Sequence, residues 1–223
     1  MNALIVYAHP ESKSFNGQLK EFAATLLAQS GVRVMISDLY QQKFNPVASA
    51  SDFTYPVSPE RLGYVHEQRH AAAHGHYRSD ILEEQKKLAE ADLVIFQFPL
   101  WWYAVPAILK GWADRILSYG FAYDANRMFN TGLLKGKYAL MSITTGGSRA
   151  ELDADIAHTG SVESFLKPFS GGVLEFVGID VLPPSIIYAI SSLTPEDREA
   201  AFATYGARLL DAVQRVQSLH RPH

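Results

Sequence analysis

Short, unbroken runs of apolar residues recur along the chain and alternate with longer segments in which apolar positions repeat every three to four residues. The unbroken runs are typical of strands buried on both faces of a parallel sheet, whereas the longer period is typical of amphipathic helices. The runs predict five strands, the last one interrupted by two prolines. These strands are predicted at Ala3–Ala8, Val32–Ser37, Asp92–Phe98, Lys137–Ile143 and within Ile179–Ile190.

Segments with helical spacing lie between these runs. The first follows Ser14, a residue type that caps helices, and Gly31 stands where a helix commonly ends. Further helices are predicted at Asp80–Glu90, Val105–Leu117, most of the stretch from 149 to 177, and Thr194–Leu219. Strands that alternate with helices predict an α/β fold with a doubly wound parallel sheet and helices on both faces. We expect the whole chain, residues 1–223, to form one domain.

One long connection shows neither pattern. Residues 39–79 are polar, contain three prolines and show little periodicity, so an irregular excursion is expected there. Order resumes at Asp80, the predicted N-cap of the next helix. A connection of this length inside a compact domain is usually functional or wraps around a partner.

Composition narrows the class of protein. The 20 basic and 23 acidic residues nearly cancel, which argues against a nucleic-acid-binding protein. The absence of cysteine excludes disulfides, thiolate metal sites and a cysteine nucleophile. The apolar stretch Leu93–Leu109 is interrupted by Gln97 and two prolines, and the N-terminal segment lacks the basic region of a signal peptide. We therefore expect a cytoplasmic protein without a membrane-spanning segment.

Three unusual segments follow the first, third and fourth strands, at the edge of the sheet where open α/β folds bind ligands. After the first strand, His9, Ser14 and Asn16 lead into a helix whose N-terminal amides attract phosphate. After the third comes Pro99-Leu-Trp-Trp-Tyr103, whose aromatic faces suit a flat conjugated ligand. After the fourth comes Thr144-Thr-Gly-Gly-Ser148, where paired glycines expose amide donors that suit the polar edge of a flavin.

Each segment alone has a simpler interpretation as a helix cap, as core or dimer packing, or as a glycine-rich turn. The sequence contains neither the G-x-G-x-x-G motif of dinucleotide-binding folds nor a P-loop. Found together on neighbouring strands, a phosphate-binding helix start, aromatic walls and an amide-rich loop predict a flavin site of the flavodoxin type.

The chain resembles the NAD(P)H:quinone oxidoreductases, DT-diaphorase-like flavoproteins with a flavodoxin-like fold. The resemblance extends to about Pro195, and its most specific stretches are Ala91-Asp-Leu-Val-Ile-Phe-Gln-Phe-Pro-Leu100, Val105-Pro-Ala-Ile-Leu-Lys-Gly-Trp112 and Ser142-Ile-Thr-Thr-Gly-Gly-Ser148. It implies a five-stranded parallel sheet in the order 2-1-3-4-5, a homodimer, and FAD rather than FMN as cofactor. It also implies ping-pong chemistry, in which NADH or NADPH reduces the flavin and two electrons then pass to a quinone or a similar planar acceptor.

The resemblance also assigns roles to individual residues. The pyrophosphate side of the cofactor would be held by His9, Ser14, Phe15 and Asn16. The flavin ring would be flanked by Pro99, Leu100, Trp101, Trp102 and Tyr103. Its polar edge would be bonded by Thr144, Thr145, Gly146, Gly147 and Ser148. Two catalytic residues are implied, namely His158 near the flavin and Tyr123, which would line the pocket of the partner subunit.

Some positions depart from the family pattern. Leu152 and Ala125 replace family tyrosines, which widens the pocket and removes hydroxyl groups. The zinc ligands of one branch fall on Gly171 and Glu175, so no metal site is expected.

Four histidines in the irregular segment are interpreted as a solvated or interface stretch: His66, His70, His74 and His76. The alternatives to an enzyme are a flavodoxin-type electron carrier and an ancillary flavoprotein subunit. Azo and nitro compounds are further candidate acceptors.

Overall fold

The computed structural model describes residues 1–58, 60–159 and 161–219. The strands are β1 (Asn2–Tyr7), β2 (Arg33–Asp38), β3 (Leu93–Pro99), β4 (Tyr138–Thr144), β5 (Asp180–Val181) and β6 (Ser185–Ile187). The helices are α1 (Phe15–Gln29), α2 (Tyr64–His74), α3 (Ser79–Glu90), α4 (Ala107–Ile116), α5 (Arg149–Thr159), α6 (Val162–Phe169) and α7 (Pro195–Leu219). The strands pair in parallel in the order β2-β1-β3-β4-β5, which confirms the predicted topology.

The last strand is split into two pieces. β5 pairs with the start of β4, and β6 pairs with the end of β4. Pro183 and Pro184 separate the pieces because proline has no N–H to donate to a ladder. Hydrogen bonding continues beyond β4, where the N–H of Thr145 donates to the carbonyl of Ile187 at 3.0 Å.

Both faces of the central strands β1 and β3 are buried, which explains why these strands are almost entirely apolar, whereas the edge strand β2 is partly exposed. Along β1, Leu4 and Val6 pack against α3, α4 and α6, whereas Ala3, Ile5 and Tyr7 pack against α1 and α7. The two helical layers fix the carboxyl ends of β1, β3 and β4. The first residues of the segments that follow these three strands are therefore held in fixed positions.

The two ends of α1 and the start of α4 agree with the sequence pattern. Ser14 caps α1, and Gly31 follows this helix with a φ of 76°, a left-handed conformation that glycine adopts readily. Pro106 occupies the N-cap position of α4. Within the described residues, no helix is both long enough and apolar enough to cross a bilayer.

The segment from 39 to 79 is not irregular throughout, which corrects the sequence prediction. It contains a short 3₁₀ helix at Ala50–Asp52 and the helix α2. Two of the buried positions of α2 are Glu67 and Gln68, so its inner face has no apolar stripe that periodicity could detect. Glu67 tolerates burial because its carboxylate accepts the N–H of Val57 at 2.8 Å.

The start of α3 also differs from the prediction. The helix begins at Ser79 with Arg78 at the N-cap position, so Asp80 is not the cap. Instead, Oδ2 of Asp80 accepts a hydrogen bond from Nη1 of Arg115 at 2.9 Å. The role of Asp80 is therefore an ion pair with the distant Arg115 and not the capping of its own helix.

Candidate active site

The first turn of α1 presents backbone donors beyond the end of β1. Oγ of Ser14 accepts the N–H of Gly17 at 3.1 Å, and a Cβ at position 17 would lie 1.9 Å from the carbonyl oxygen of Ser12, so only glycine fits there. Among the described residues, the N–H groups of Phe15 and Asn16 have no protein acceptor. Together with the positive end of the helix dipole, these donors suit a phosphate group.

The side chains around this turn shape its surroundings. Nδ1 of His9 accepts the N–H of Glu11 at 3.0 Å, which fixes the imidazole beside the loop. Phe15 is buried against Phe202, with 5.4 Å between the ring centroids. The guanidinium of Arg198, near the start of α7, lies 5.3 Å from the centre of the Phe15 ring. Arg198 therefore places a cation close to the start of α1.

The side chain of Asn16 faces the interior and not the surface of the turn. It is fully buried. Its Nδ2 donates to Oγ1 of Thr144 at 2.7 Å, and its Oδ1 accepts a hydrogen bond from Nε2 of Gln97 at 2.8 Å. The side chain therefore does not add a donor for phosphate, which corrects the expectation from the sequence. It links the start of α1 to β3 and β4.

The aromatic segment after β3 forms a tight turn. The N–H of Trp101 donates to the carbonyl of Ala104 at 3.1 Å, and the N–H of Ala104 donates back at 3.0 Å. The two residues between them, Trp102 and Tyr103, have φ values of 51° and 56°, as in a type I′ turn. Glycine or asparagine usually occupies such positions, and a bulky residue there stores about 1 kcal/mol of strain or more. Strained turns of this kind are concentrated at functional sites.

This turn combines an exposed ring with a packed one. The side chain of Trp102 is 97% exposed, whereas the ring of Tyr103 packs against Phe165 with 4.7 Å between the centroids. Trp102, Tyr103 and Phe165 line a cavity of about 540 Å³ whose other walls are mainly apolar. A flat apolar wall of this kind suits a conjugated ring.

The three segments selected from the sequence lie side by side. The rings of His9 and Trp101 are 6.2 Å apart between centroids, which joins the first segment to the second. The N–H of Leu100 donates to the carbonyl of Thr144 at 2.8 Å, which joins the second to the third. The hydrogen bond from Asn16 to Thr144 joins the first to the third. The prediction that these segments meet at one edge of the sheet is therefore confirmed.

The loop after β4 is fixed at both ends. Thr145 is held through its N–H by Ile187, and its Oγ1 donates to the carbonyl of Gly147 at 2.7 Å. The N–H and the hydroxyl of Ser148 donate to Oε2 of Glu151 at 2.7 and 2.9 Å. These hydrogen bonds hold the pKa of the Glu151 carboxyl below its ordinary value. The hydrogen bonds that order the loop use backbone groups and the side chains of Thr145, Ser148 and Glu151, so they do not require glycine at 146 or 147.

The two glycines leave space and donors between these fixed ends. Among the described residues, the N–H groups of Gly146 and Gly147 donate to no protein acceptor. A Cβ at 146 would meet nothing within 4 Å, and a Cβ at 147 would come no closer than 3.6 Å, to Glu151. Neither glycine has a positive φ. The packing and backbone conformation of the loop therefore do not account for glycine at either position, and two glycines leave room for a ligand to approach their amide donors closely.

Tyr123, one of the two residues implied as catalytic, is not part of this cradle. Tyr123 packs against Tyr119 and Phe176, with ring centroids 5.6 and 5.3 Å apart, and it lines a separate cavity of about 400 Å³ with Tyr64. Burial raises the pKa of Tyr123. His158 belongs to α5, but its side chain lies outside the described residues.

Two buried polar residues were not selected as site residues from the sequence. The hydroxyl of Tyr205, on α7, donates to Oε1 of Gln97 at 3.3 Å, and both side chains are buried. A single amide inside the apolar run of β3 is the signal that marks Gln97. Nothing in the sequence connects it with Tyr205, which lies 108 positions away.

The histidines of the 39–79 segment form a surface cluster. The rings of His70, His74 and His76 lie 4.3 to 5.5 Å apart between centroids. In the part of the chain that the structure describes, no group of three or more histidines or acidic residues is arranged to hold a metal ion.

Comparison with known proteins agrees with this architecture. Residues 1–213 match a family model described as flavodoxin-like fold. Over 207 residues the chain is 47% identical to the mouse (Mus musculus) ribosyldihydronicotinamide dehydrogenase (quinone), covering 92% of this chain and 89% of the relative. It is 44% identical over 208 residues to the rat (Rattus norvegicus) NAD(P)H dehydrogenase (quinone) 1, covering 93% and 76%. A solved structure from Klebsiella pneumoniae, provisionally named a quinone reductase, matches with a TM-score of 0.89 and 37% identity, covering 96% and 85% of the two chains.

The fold and the cradle define a protein of the flavodoxin-like class. Within this class, the chain belongs to the NAD(P)H:quinone oxidoreductase family. The family, the fold and the enzyme class predicted from the sequence are thereby confirmed.

Proposed function

We propose that this chain is a flavin-dependent NAD(P)H dehydrogenase that reduces quinones and similar planar acceptors by a two-electron, ping-pong reaction. The observation that carries the proposal is the pair Gly146 and Gly147. Their N–H groups have no protein acceptor among the described residues, and the fold itself would accept a Cβ at both positions. Amide donors that are fixed where negative charge develops stabilise that charge without reorganising.

The surrounding residues would bind and orient the cofactor. A bound flavin would supply the capacity to accept a hydride and pass on two electrons. The N–H groups of Phe15 and Asn16 would hold its phosphate side together with Ser14. The turn at Trp102 and Tyr103 would flank its ring, and NADH or NADPH would alternate with the acceptor at the exposed ring face.

We propose FAD rather than FMN as the cofactor. FMN carries one phosphate, whereas FAD carries a pyrophosphate with an adenosine attached. The guanidinium of Arg198, which lies 5.3 Å from the Phe15 ring, adds a cation next to the donors of α1. A guanidinium beside a helix N-terminus suits the pyrophosphate of FAD, which is longer and more negative than the single phosphate of FMN.

We further propose a homodimer in which Tyr123 serves the site of the partner subunit. Tyr123, Tyr64 and Phe176 line one cavity, and Val65 and Phe129 are 52% and 54% exposed. A second subunit that covered these apolar groups would gain hydrophobic stabilisation.

Two further assignments stay predictions. His158 is proposed as the catalytic residue near the flavin, because α5 follows directly after the loop that carries Gly147. The cytoplasmic location is likewise expected from the sequence only.

The decisive experiment starts from the absorption spectrum of the purified protein, with the released cofactor identified by mass spectrometry. Anaerobic reduction by NADH, NADPH and ribosyldihydronicotinamide is then compared, and menadione is added to the reduced protein. We expect a yellow protein that releases FAD, loses its flavin absorbance with at least one donor, and regains it with menadione.

The other outcomes separate the alternatives. A protein that stays colourless in excess FAD and FMN would overturn the flavin assignment. Flavin binding without turnover by any donor would favour the electron carrier or the ancillary subunit. Loss of steady-state turnover unless a partner protein is added would favour the carrier in particular.

A further inference from the structure

A chain of buried hydrogen bonds runs beneath the candidate site from α7 to the end of β4. The hydroxyl of Tyr205 donates to Oε1 of Gln97 at 3.3 Å, and Nε2 of Gln97 donates to Oδ1 of Asn16 at 2.8 Å. Nδ2 of Asn16 then donates to Oγ1 of Thr144 at 2.7 Å. None of these four residues is more than 1% exposed. We call them the Asn16 network.

The Asn16 network connects the two halves of the candidate site. Asn16 lies in the first turn of α1, whose N–H groups form the phosphate side. Thr144 begins the loop that carries Gly146 and Gly147 on the ring-edge side. Gln97 lies between them on the central strand β3, where it replaces an apolar side chain in an otherwise apolar run.

Packing of α1 does not itself need this network. Leu19, Ala23 and Leu27 already fix the helix against the sheet, in one apolar cluster with Ile5 and Ile95. Buried polar groups that lose a partner are costly, so each side chain in the network is confined to one arrangement. In the first turn of α1 the apolar anchor is Phe15, which packs against Phe202 of α7, so the specific effect of the network is to tie this turn to β3 and β4.

The donor direction in the network is also stable near neutral pH. Burial raises the pKa of Tyr205, so its hydroxyl keeps its proton and remains a donor to Gln97. Each amide then accepts through its oxygen and donates through its nitrogen, as far as Thr144.

We propose that Asn16, Gln97 and Tyr205 are positioning residues. They fix the spacing between the phosphate-binding turn of α1 and the amide-bearing loop after β4, so that both ends of one flavin meet hydrogen-bond donors that are already in place. This inference rests on the proposed function, because flavin binding is what the fixed spacing would serve. It differs from a ligand role for Asn16, whose side chain is already fully engaged within the protein.

The test compares three single variants. Tyr205→Phe removes one hydroxyl far along the network, and Asn16→Ala removes its centre. Tyr77→Phe is the matched control, since it removes a buried tyrosine hydroxyl that donates to the carbonyl of Gln68 at 3.0 Å, outside the network. If Asn16→Ala does not fold, Tyr205→Phe carries the test alone.

Two readouts separate positioning from simple stability. Amide hydrogen exchange is measured in the flavin-free protein at Gly17, Leu100 and Thr145, whose N–H groups bond within the two halves of the site. FAD affinity is measured by fluorescence titration. We expect faster exchange at these amides and at least about tenfold weaker FAD binding in Tyr205→Phe and Asn16→Ala, with Tyr77→Phe like the wild type.

The outcomes also separate this inference from the proposed function. A lower melting temperature with unchanged local exchange and unchanged FAD affinity would show that the network is only structural, which overturns the inference. Wild-type protein that binds no flavin would overturn the proposed function, while faster exchange in both halves of the site would still support the mechanical link.

Discussion

The guanidinium of Arg115 lies buried against the carboxylate of Asp52, with Nη2 2.9 Å and Nε 3.0 Å from the same oxygen, Oδ1. Both side chains are almost completely inaccessible to solvent. Oδ2 of Asp52 also accepts the hydroxyl of Tyr64 at 2.5 Å, and Nη1 of Arg115 donates to the carbonyl of Asn45 at 2.8 Å. The pair therefore connects helix α4, which carries Arg115, with the segment that lies between β2 and α3 and carries Asp52.

Removal of one member of this pair should be strongly destabilising. In Arg115→Met the charge of Asp52 stays buried without its main partner, so we expect the free energy of unfolding to fall by about 3–5 kcal/mol, measured by urea denaturation. The control is Lys110→Met, which removes a half-exposed partner of Asp114 on the same helix and should cost about 1 kcal/mol or less. Equal losses in the two variants would contradict this account.

The two cradle glycines should matter for cofactor binding and little for folding. For Gly147→Ala and Gly146→Ala we expect the stability of the flavin-free protein to change by about 1 kcal/mol or less, because the added Cβ has room. We expect Gly147→Val to strip the cofactor from the purified protein, as judged by its flavin absorbance. A yellow, active Gly147→Val protein would refute the cradle.

Gly111→Ala provides the opposite control. A Cβ there would lie 2.2 Å from the carbonyl oxygen of Pro46, so the substitution should destabilise the fold by about 1–3 kcal/mol. The contrast separates glycines that packing requires from glycines that ligand approach requires.

The strained turn at Trp102 should also separate binding from stability. Trp102→Asn places a residue that tolerates positive φ where the side chain is 97% exposed, so we expect no loss of stability. Loss of the indole should weaken FAD binding by about threefold to tenfold, measured by fluorescence titration. Tyr55→Asn removes an exposed aromatic elsewhere and should leave the affinity unchanged. Unaltered FAD affinity in Trp102→Asn would show that the indole does not contact the flavin ring.

The hydrogen bonds between Ser148 and the carboxylate of Glu151 predict that the loop after β4 is less well held at low pH. The pKa of Glu151 is lowered by hydrogen bonds from Ser148, so its stabilising effect is complete above the ordinary pKa of 4.5 and is lost as the pH falls through the lowered value. We expect FAD affinity to decline below pH 4.5.

The matched variant is Glu151→Gln, whose side chain still accepts hydrogen bonds but does not titrate. It should flatten the decline in FAD affinity at low pH, which we call the acid limb. Glu83→Gln, at an exposed position of α3, should retain it. An acid limb that persists unchanged in Glu151→Gln would show that another group titrates.

The proposed role of His158 can be tested by half-reaction kinetics. In His158→Ala we expect the reduction of bound flavin by NAD(P)H to slow more than flavin binding weakens, because a group that stabilises the negative charge developing on the flavin acts mainly in the transition state. Stopped-flow absorbance measures the first effect and fluorescence titration the second. An unchanged reduction rate would make the histidine structural.

The central strands were predictable because burial on both faces favours unbroken apolar runs such as Ala3–Tyr7. α2 was missed because Glu67 and Gln68 occupy its inner face, and their burial depends on partners distant in sequence. Asp80 was misassigned as a cap because its ion pair with Arg115 spans 35 positions.

The composition of the site was predictable, but its internal connections were not. The glycines and the aromatic turn stand out in the sequence at the ends of strands. A type I′ turn at Trp102 and Tyr103 could not be predicted, because neither residue favours positive φ. The inward orientation of Asn16 depends on Gln97 and Thr144, and only the folded sheet brings these residues together.

The proline break at Pro183 and Pro184 divides the outer rung of the sheet into two separately attached parts. β5 pairs with the start of β4, whereas β6 pairs with its end. The residues after β6 also bond to the glycine loop, where the N–H of Ala189 donates to the carbonyl of Gly147 at 3.0 Å and the N–H of Ile190 donates to the carbonyl of Thr145 at 3.1 Å. The outer edge of the sheet thus has two independent attachments, of which only the second supports the glycine loop.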